Sequence, residues 1–243
     1  MVREQVQRSL AHRTADGSIA VTITVHHLSE SRSQRVLLLL EELGVPYEVQ
    51  RYERNRKTML APNSLKLVHP LGKSPVVVEA DLTLAETGHI IDTLIDRHGA
   101  GRLRPASGTP DRLRYGFFLH YAEGSLAPLM LLSLVFSRLP RQLPFPLRPV
   151  ARLISRGLEM QFLGPQLATH LDFLEAELSG RPWFAGEEFS GADAIMSFPL
   201  QAMQATGRLE HHPRLRDWVQ RLEARPAWGR AVDRGGPLTF RFR

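Results

Sequence analysis

The chain changes its hydrophobic period near residue 100. Before that point apolar residues come in short alternating or β-branched runs; after it they recur at helical spacing and nothing resembles a strand. Ile19 to His26 alternates apolar and polar positions and predicts a first strand. His27 to Ser31 reads as a polar connection. Arg32 to Leu43 predicts a helix whose Val36, Leu37, Leu38, Leu39, Leu40 and Leu43 exceed a single apolar stripe, so it needs cover on two sides, from a sheet and a second domain. Gly44 stops it as a C-cap residue, and Pro46 to Arg51 supplies a second strand. Residues 52–68 are charged and end in a short helix around Pro62 to Val68. Val76 to Val78 suits a buried strand, Glu79 to Asp81 turns the chain, and Leu82 to Leu84 forms the partner strand. A helix follows from Glu86 to His98, with Ile90, Ile91, Leu94 and Ile95 inward.

Strand, helix and strand over this length make a right-handed parallel βαβ unit, and the hairpin and last helix complete the order βαβαββα. Gly99 to Pro110 is rich in helix and strand breakers and reads as a linker. Beyond it come a long helix from Asp111 to about Arg138, bent near Pro128, and a proline-rich break over Leu139 to Pro149. A helix from Val150 to Leu178 follows, kinked at Gly164-Pro165, then helices near Ala192–Thr206, Pro213–Ala224 and Pro226–Val232. Ser190 and Asp193 stand three apart before an apolar run, the spacing of a capping box, with Trp183-Phe184-Ala185-Gly186 just upstream. The expected organisation is a basic extension over 1–18, an α/β domain over 19–99 and an all-helical domain over 110–243.

Composition narrows the chemistry. The 243 residues suffice for one large or two small domains, and 43% hydrophobic with 23% charged residues is ordinary for a globular chain. There is no cysteine, which excludes disulfides, cysteine metal sites and a cysteine nucleophile. The net charge of +6 is carried almost wholly by arginine, scattered rather than blocked, and the aromatics form no nucleic-acid motif. Residues 1–18 lack the apolar core of a signal peptide, and Leu126 to Phe136 is too short to span a bilayer, so a cytoplasmic protein is expected.

The chemistry concentrates in residues 69 to 90. Pro70, Gly72 and Pro75 punctuate a turn, Lys73-Ser74-Pro75 leads into the Val76 strand, and Glu86-Thr87 opens a helix where free backbone N–H groups point outward. The Pro-x-Gly-Lys-Ser-Pro turn with a Glu-Thr pair eleven residues beyond its second proline resembles the glutathione S-transferase family, in its bacterial and fungal serine-type form. That resemblance covers roughly residues 19 to 235. It implies a thioredoxin-like N-terminal domain, an all-helical C-terminal domain and a homodimer.

It also implies a site for glutathione, whose two carboxylates, ammonium and thiol each need a partner. Glu86 matches the residue that pairs with the γ-glutamyl ammonium, and Thr87 at the helix N-terminus suits its carboxylate; Glu86 also reads as a plain helix start. Ser74-Pro75 matches the family's cis-proline, with Ser74 gripping the cysteinyl backbone like an added strand, although the family more often has an apolar residue there. Lys73 can meet the glycine carboxylate, and His69 has no catalytic role. Alignment with serine-type members makes Ser31 the residue that donates to the thiolate, with Ser33 and Ser29 as alternates; a helix N-cap is the structural reading of Ser31. Arg32 and Arg35 add positive potential or simply face solvent. Tyr121, Glu123 and Met130 are candidates to line an electrophile pocket, ordinary packing being the readier reading of Tyr121.

The function implied is a metal-free transfer of glutathione to a small apolar electrophile. Isomerisation, dehalogenation or peroxide reduction on the same fold, and a non-catalytic binding module, are the alternatives. Without a Cys-x-x-Cys pair, thiol–disulfide exchange is excluded.

Overall fold

The computed structural model describes residues 11–13, 19–55, 58 and 60–240. Two short strands, β1 (Ala11–Arg13) and β2 (Ile19–Val21), pair antiparallel with Ala11 opposite Val21. The expected first strand is therefore divided, and only β3 (Ile23–Leu28) enters the main sheet. His27, expected in a connection, lies inside β3. Of the expected extension, residues 1–10 and 14–18 lie outside the described residues.

The remaining elements of this half follow the predicted order: α1 (Gln34–Leu43), β4 (Tyr47–Tyr52), α2 (Leu65–Val68), β5 (Val76–Glu79), β6 (Leu82–Ala85) and α3 (Thr87–His98). The sheet runs β4-β3-β5-β6, with β3 and β4 parallel and the other neighbours antiparallel. Gly44 caps α1 at φ +70°, a left-handed conformation that a residue without Cβ adopts readily.

The second half is helical: α4 (Pro110–Tyr121), α5 (Ala127–Gln142), α6 (Arg148–Leu158), α7 (Gly164–Glu177), α8 (Gly191–Ala205), α9 (Pro213–Glu223) and α10 (Pro226–Gly235). The two expected bends are π-helical turns, Ala122–Leu126 just before Pro128 and Glu159–Leu163 just before Gly164. By length and composition the helical run Pro110–Gln142 is long and apolar enough to cross a membrane, unlike its Leu126–Phe136 segment; here it buries Tyr115, Phe118, Tyr121, Ala122 and Leu126 in the helical core.

Contacts divide the described chain differently from the linker. Residues up to Pro105 pack with Leu222–Thr239 as one unit, and Ala106–Arg221 with Phe240 as the other. The second cover on α1 is thus α10, from the chain's far end. Val36 to Leu40 are all fully buried for that reason. Gly235 permits the contact: a Cβ there would lie 2.3 Å from Gln34 Oε1 and 2.6 Å from Leu37 Cδ1.

The Ser190–Asp193 capping box forms. Ser190 Oγ accepts from Ala192 N–H at 3.3 Å, while Asp193 accepts from the Ser190 and Phe184 amides at 3.0 and 2.9 Å, from Ser190 Oγ at 3.0 Å and from Trp218 Nε1 at 3.2 Å. Asp193 is wholly buried, and burial outweighs these four donors and raises its carboxyl to about 6. It ties the start of α8 to the Trp183 loop and to α9.

Candidate functional site

Strand register brings the sequence-distant motifs to one end of the sheet. His26 of β3 stands opposite Val76 of β5, and Val76 opposite Ala85 of β6. The antiparallel neighbours therefore end together: the segment after β3 (Ser29–Ser33), the turn before β5 (Lys73–Pro75) and the start of α3 (Glu86–Thr87) share that end of the sheet.

Ser74-Pro75 is a cis peptide. The Ser74 hydroxyl donates to the His26 carbonyl at 2.8 Å and accepts from Leu28 N–H at 3.1 Å, so its side chain completes the end of β3. The β3–β5 ladder stops at Val76 and leaves the Ser74 main chain outside it. This explains a polar residue where the family more often has an apolar one. Pro75 is buried and Lys73 exposed.

Glu86 is exposed and sits at φ +70°, with no side-chain cap bond to α3. A non-glycine residue held there is sterically costly, and such positions cluster at ligand sites. Its carbonyl accepts from Ile90 N–H, and the buried Thr87 opens the helix.

The structure separates the three candidate serines. Ser29 Oγ donates to the Tyr52 carbonyl at 3.2 Å or to Glu53 Oε1 at 2.6 Å and is tied to the end of β4. Ser33 occupies the N-cap position of α1 without capping it by its side chain. Its hydroxyl is fully buried, 2.8 Å from Ser31 Oγ on one side and 2.8 Å from His27 Nδ1 on the other. Ser31 is the outer member, so the N-cap reading of it gives way to membership of a hydroxyl chain.

One carbonyl sets the direction of that chain. His27 Nε2 lies 2.9 Å from the carbonyl oxygen of Gly235, which can only accept, so Nε2 carries the proton and Nδ1 is the acceptor. Ser33 therefore donates to His27, and Ser31 donates to Ser33. Ser31 Oγ also receives the Ser33 N–H at 3.3 Å, which leaves one lone pair free. His27 is buried, and that burial holds its imidazole below the ordinary value even against the Gly235 bond. Neutral His27 is the resting state. The sequence reading missed His27 and Gly235: they lie 208 positions apart, and no local pattern joins them.

Arg35 is buried and Arg32 half-buried, so neither simply faces solvent. In the helical unit the Tyr121 ring packs against Phe117, Phe118 and Phe173, and its hydroxyl meets His170 Nδ1 at 2.5 Å. Burial pushes the Tyr121 phenol well above its ordinary value. Glu123, in the π-helical turn, and Met130, on α5, are half-buried. No group of three or more potential metal ligands occurs among the described residues.

Comparison with known proteins gives consistent relatives. Residues 31–97 match the family model "Glutathione S-transferase, N-terminal domain", and 162–226 match its C-terminal domain. The chain is 32% identical to glutathione S-transferase 3 of Schizosaccharomyces pombe over 84% of each chain. It is 29% identical to glutathione S-transferase 1 of Saccharomyces cerevisiae over 90% of this chain and 98% of that one. A crystal structure of a glutathione S-transferase from Actinobacillus pleuropneumoniae superposes with a TM-score of 0.75 at 31% identity, covering 90% of this chain and 95% of that one. A sphingomonad glutathione S-transferase complexed with glutathione shares the fold, with a TM-score of 0.65 at 23% identity over 88% and 98% of the two chains.

Proposed function

The chain belongs to the glutathione S-transferase family, and from that premise we propose that it ionises bound glutathione through the Ser31–Ser33–His27 chain and directs the thiolate onto a small apolar electrophile. Glutathione is the co-substrate. Its γ-glutamyl ammonium pairs with Glu86 and its carboxylate with Thr87 at the α3 N-terminus, where unpaired N–H groups favour an anion. The cysteinyl backbone pairs with the Ser74 main chain, and Lys73 meets the glycine carboxylate.

The observation that carries this reading is the direction of the hydroxyl chain. In the resting state Ser31 offers the thiol a lone pair. On ionisation the thiol proton passes to Ser31 Oγ, the Ser31 proton to Ser33 and the Ser33 proton to His27 Nδ1. The sulfur is left as thiolate facing the new Ser31 O–H, and His27 as imidazolium. No hydrogen bond is lost in the reversal. The thiolate then attacks the electrophilic carbon and the leaving group departs with its electron pair. A hydrogen bond to a charged group is worth about 1.5–3 kcal/mol, and one pKa unit is about 1.4 kcal/mol, so Ser31 lowers the bound thiol by about one to two units.

For the electrophile the candidates of the helical unit are the half-buried Glu123 and Met130, while Tyr121 serves packing. A homodimer in the cytoplasm completes the proposal, on the family resemblance. The test is ultraviolet thiolate absorbance of bound glutathione against pH. A depressed thiol pKa that Ser31→Ala returns toward the free value supports the reading. Binding without a shift, or a shift that survives Ser31→Ala, overturns it.

A further inference from the structure

The α5–α6 region carries surface that the transferase reading does not use. Arg148, Arg152 and Arg156 recur every four residues and share one face of α6. With Ser137, Pro140 and Arg141 of α5 they line a cavity of about 380 Å3 that holds no carboxylate. Arg141, Arg152 and Arg156 have no partner among the described residues. Several arginines elsewhere are neutralised, among them Arg114 by Glu177, Arg225 by Glu42 and Arg230 by Glu41. The adjoining Glu159 is taken up by Arg208 and Ser133.

The apolar side of α6 is inverted. An ordinary surface helix buries its apolar stripe, whereas here only Ala151 is buried while Val150, Leu153 and Ile154 are 57%, 74% and 50% exposed. Phe145 and Leu147, in the turn leading into α6, are exposed as well. A face of aliphatic side chains flanked by unneutralised arginines has the form of a helix lying in a lipid interface.

We propose that α6 and its preceding turn dock on a membrane surface containing anionic lipid, the apolar side chains entering the acyl boundary and the arginines meeting headgroup phosphates. Charge complementarity selects this occupant. A small soluble anion would satisfy the arginines but leave the apolar face unexplained. A second copy of the chain would cover the apolar face but, carrying the same net charge of +6, offers the arginines no anionic surface.

The experiment is co-sedimentation of the full chain with vesicles of phosphatidylcholine alone or with added phosphatidylglycerol, at about 0.1 M salt, where screening sets in over roughly 10 Å. Retention on the anionic vesicles only, weakening as salt rises, is the expected result. Each surface arginine is worth about fivefold, so Arg152→Gln with Arg156→Gln lowers partitioning about 25-fold. Leu153→Gln, which leaves the charge unchanged, lowers it about tenfold. All three side chains are exposed, so an unchanged melting temperature checks that the variants fold. No retention, or equal retention on neutral vesicles, overturns the proposal. Displacement by millimolar inorganic phosphate with no effect of Leu153→Gln would make the cavity a small-anion site instead. Loss of self-association in Leu153→Gln would make the face an interface between copies.

Discussion

Replacing Ser33 by Ala removes the middle hydroxyl of the Ser31–Ser33–His27 chain, and two simple accounts of the site predict opposite outcomes. If Ser31 were only a local donor, with the thiol proton going to solvent, turning Ser31 toward the thiolate would sacrifice its bond to Ser33. That neutral bond is worth about 1 kcal/mol, or about 0.7 pKa unit. Ser33→Ala would abolish that competition, and the bound thiol pKa would stay or fall by about that amount. If the proton instead travels to His27 Nδ1, Ser33→Ala disconnects the acceptor from the thiol. The bound thiol pKa then rises by about one unit, toward that of Ser31→Ala. The assay is thiolate absorbance against pH for wild type and both variants. It is paired with calorimetric titration of glutathione in two buffers of different ionisation enthalpy, which counts protons released. The relay requires fewer protons released than thiolate formed in the wild type, and equality in Ser33→Ala. A fall or no change in the Ser33→Ala thiol pKa refutes the relay. The variant also strands the buried His27 Nδ1 lone pair, a stability cost of about 1–3 kcal/mol, so both variants are compared well below their melting temperatures.

Other expectations follow from single contacts. Asp193→Ala leaves the buried Phe184 and Ser190 amides and Trp218 Nε1 without their acceptor; the expected loss is about 3–5 kcal/mol in urea unfolding, and a loss below about 1 kcal/mol would mean that Asp193 does not hold these segments together. Gly235→Ala drives a methyl into Gln34 and Leu37, moves the Gly235 carbonyl from His27 and lowers stability by about 1–3 kcal/mol; its bound thiol pKa should rise with it, and an unchanged thiol would separate packing from the relay. Burial holds His26 down to about 4, against an ordinary 6.5, so the unfolded chain takes up the proton first. The contribution of His26 is complete above pH 6.5 and disappears as pH falls from 6.5 to about 4, by about 3 kcal/mol; His26→Gln should flatten that part of the stability profile. Glu86→Gln should raise KM for glutathione about tenfold or more with little change in the thiol pKa of the saturated complex, while an unchanged KM would reduce Glu86 to a helix start.

The order of elements in the first half was legible because each is built on local period. The β-branched run Val76–Val78, the Glu79–Asp81 turn and the Gly44 stop signal are read over a few residues, and the observed strands and helix ends fall beside them. The capping box at Ser190 and Asp193 is local for the same reason. The Lys73-Ser74-Pro75 and Glu86-Thr87 motifs were visible as spacing, and the sheet register places them at one end of the sheet. Boundaries were less legible: β2 and β3 form one continuous alternating pattern, and their division depends on which partner each half finds.

By itself the sequence determined the strand–helix order, the stops and caps and the motif-bearing turns, because those depend on backbone geometry and on side chains a few positions apart. Tertiary structure decided which helix covers the second face of α1, which tautomer His27 holds and so which way the Ser31–Ser33–His27 chain runs. Each of these choices rests on groups separated by many tens of residues, above all the Gly235 carbonyl on His27. A carbonyl oxygen has no signature in a sequence, since every residue carries one. Only its placement within hydrogen-bond reach of a buried imidazole gives the hydroxyl chain a direction.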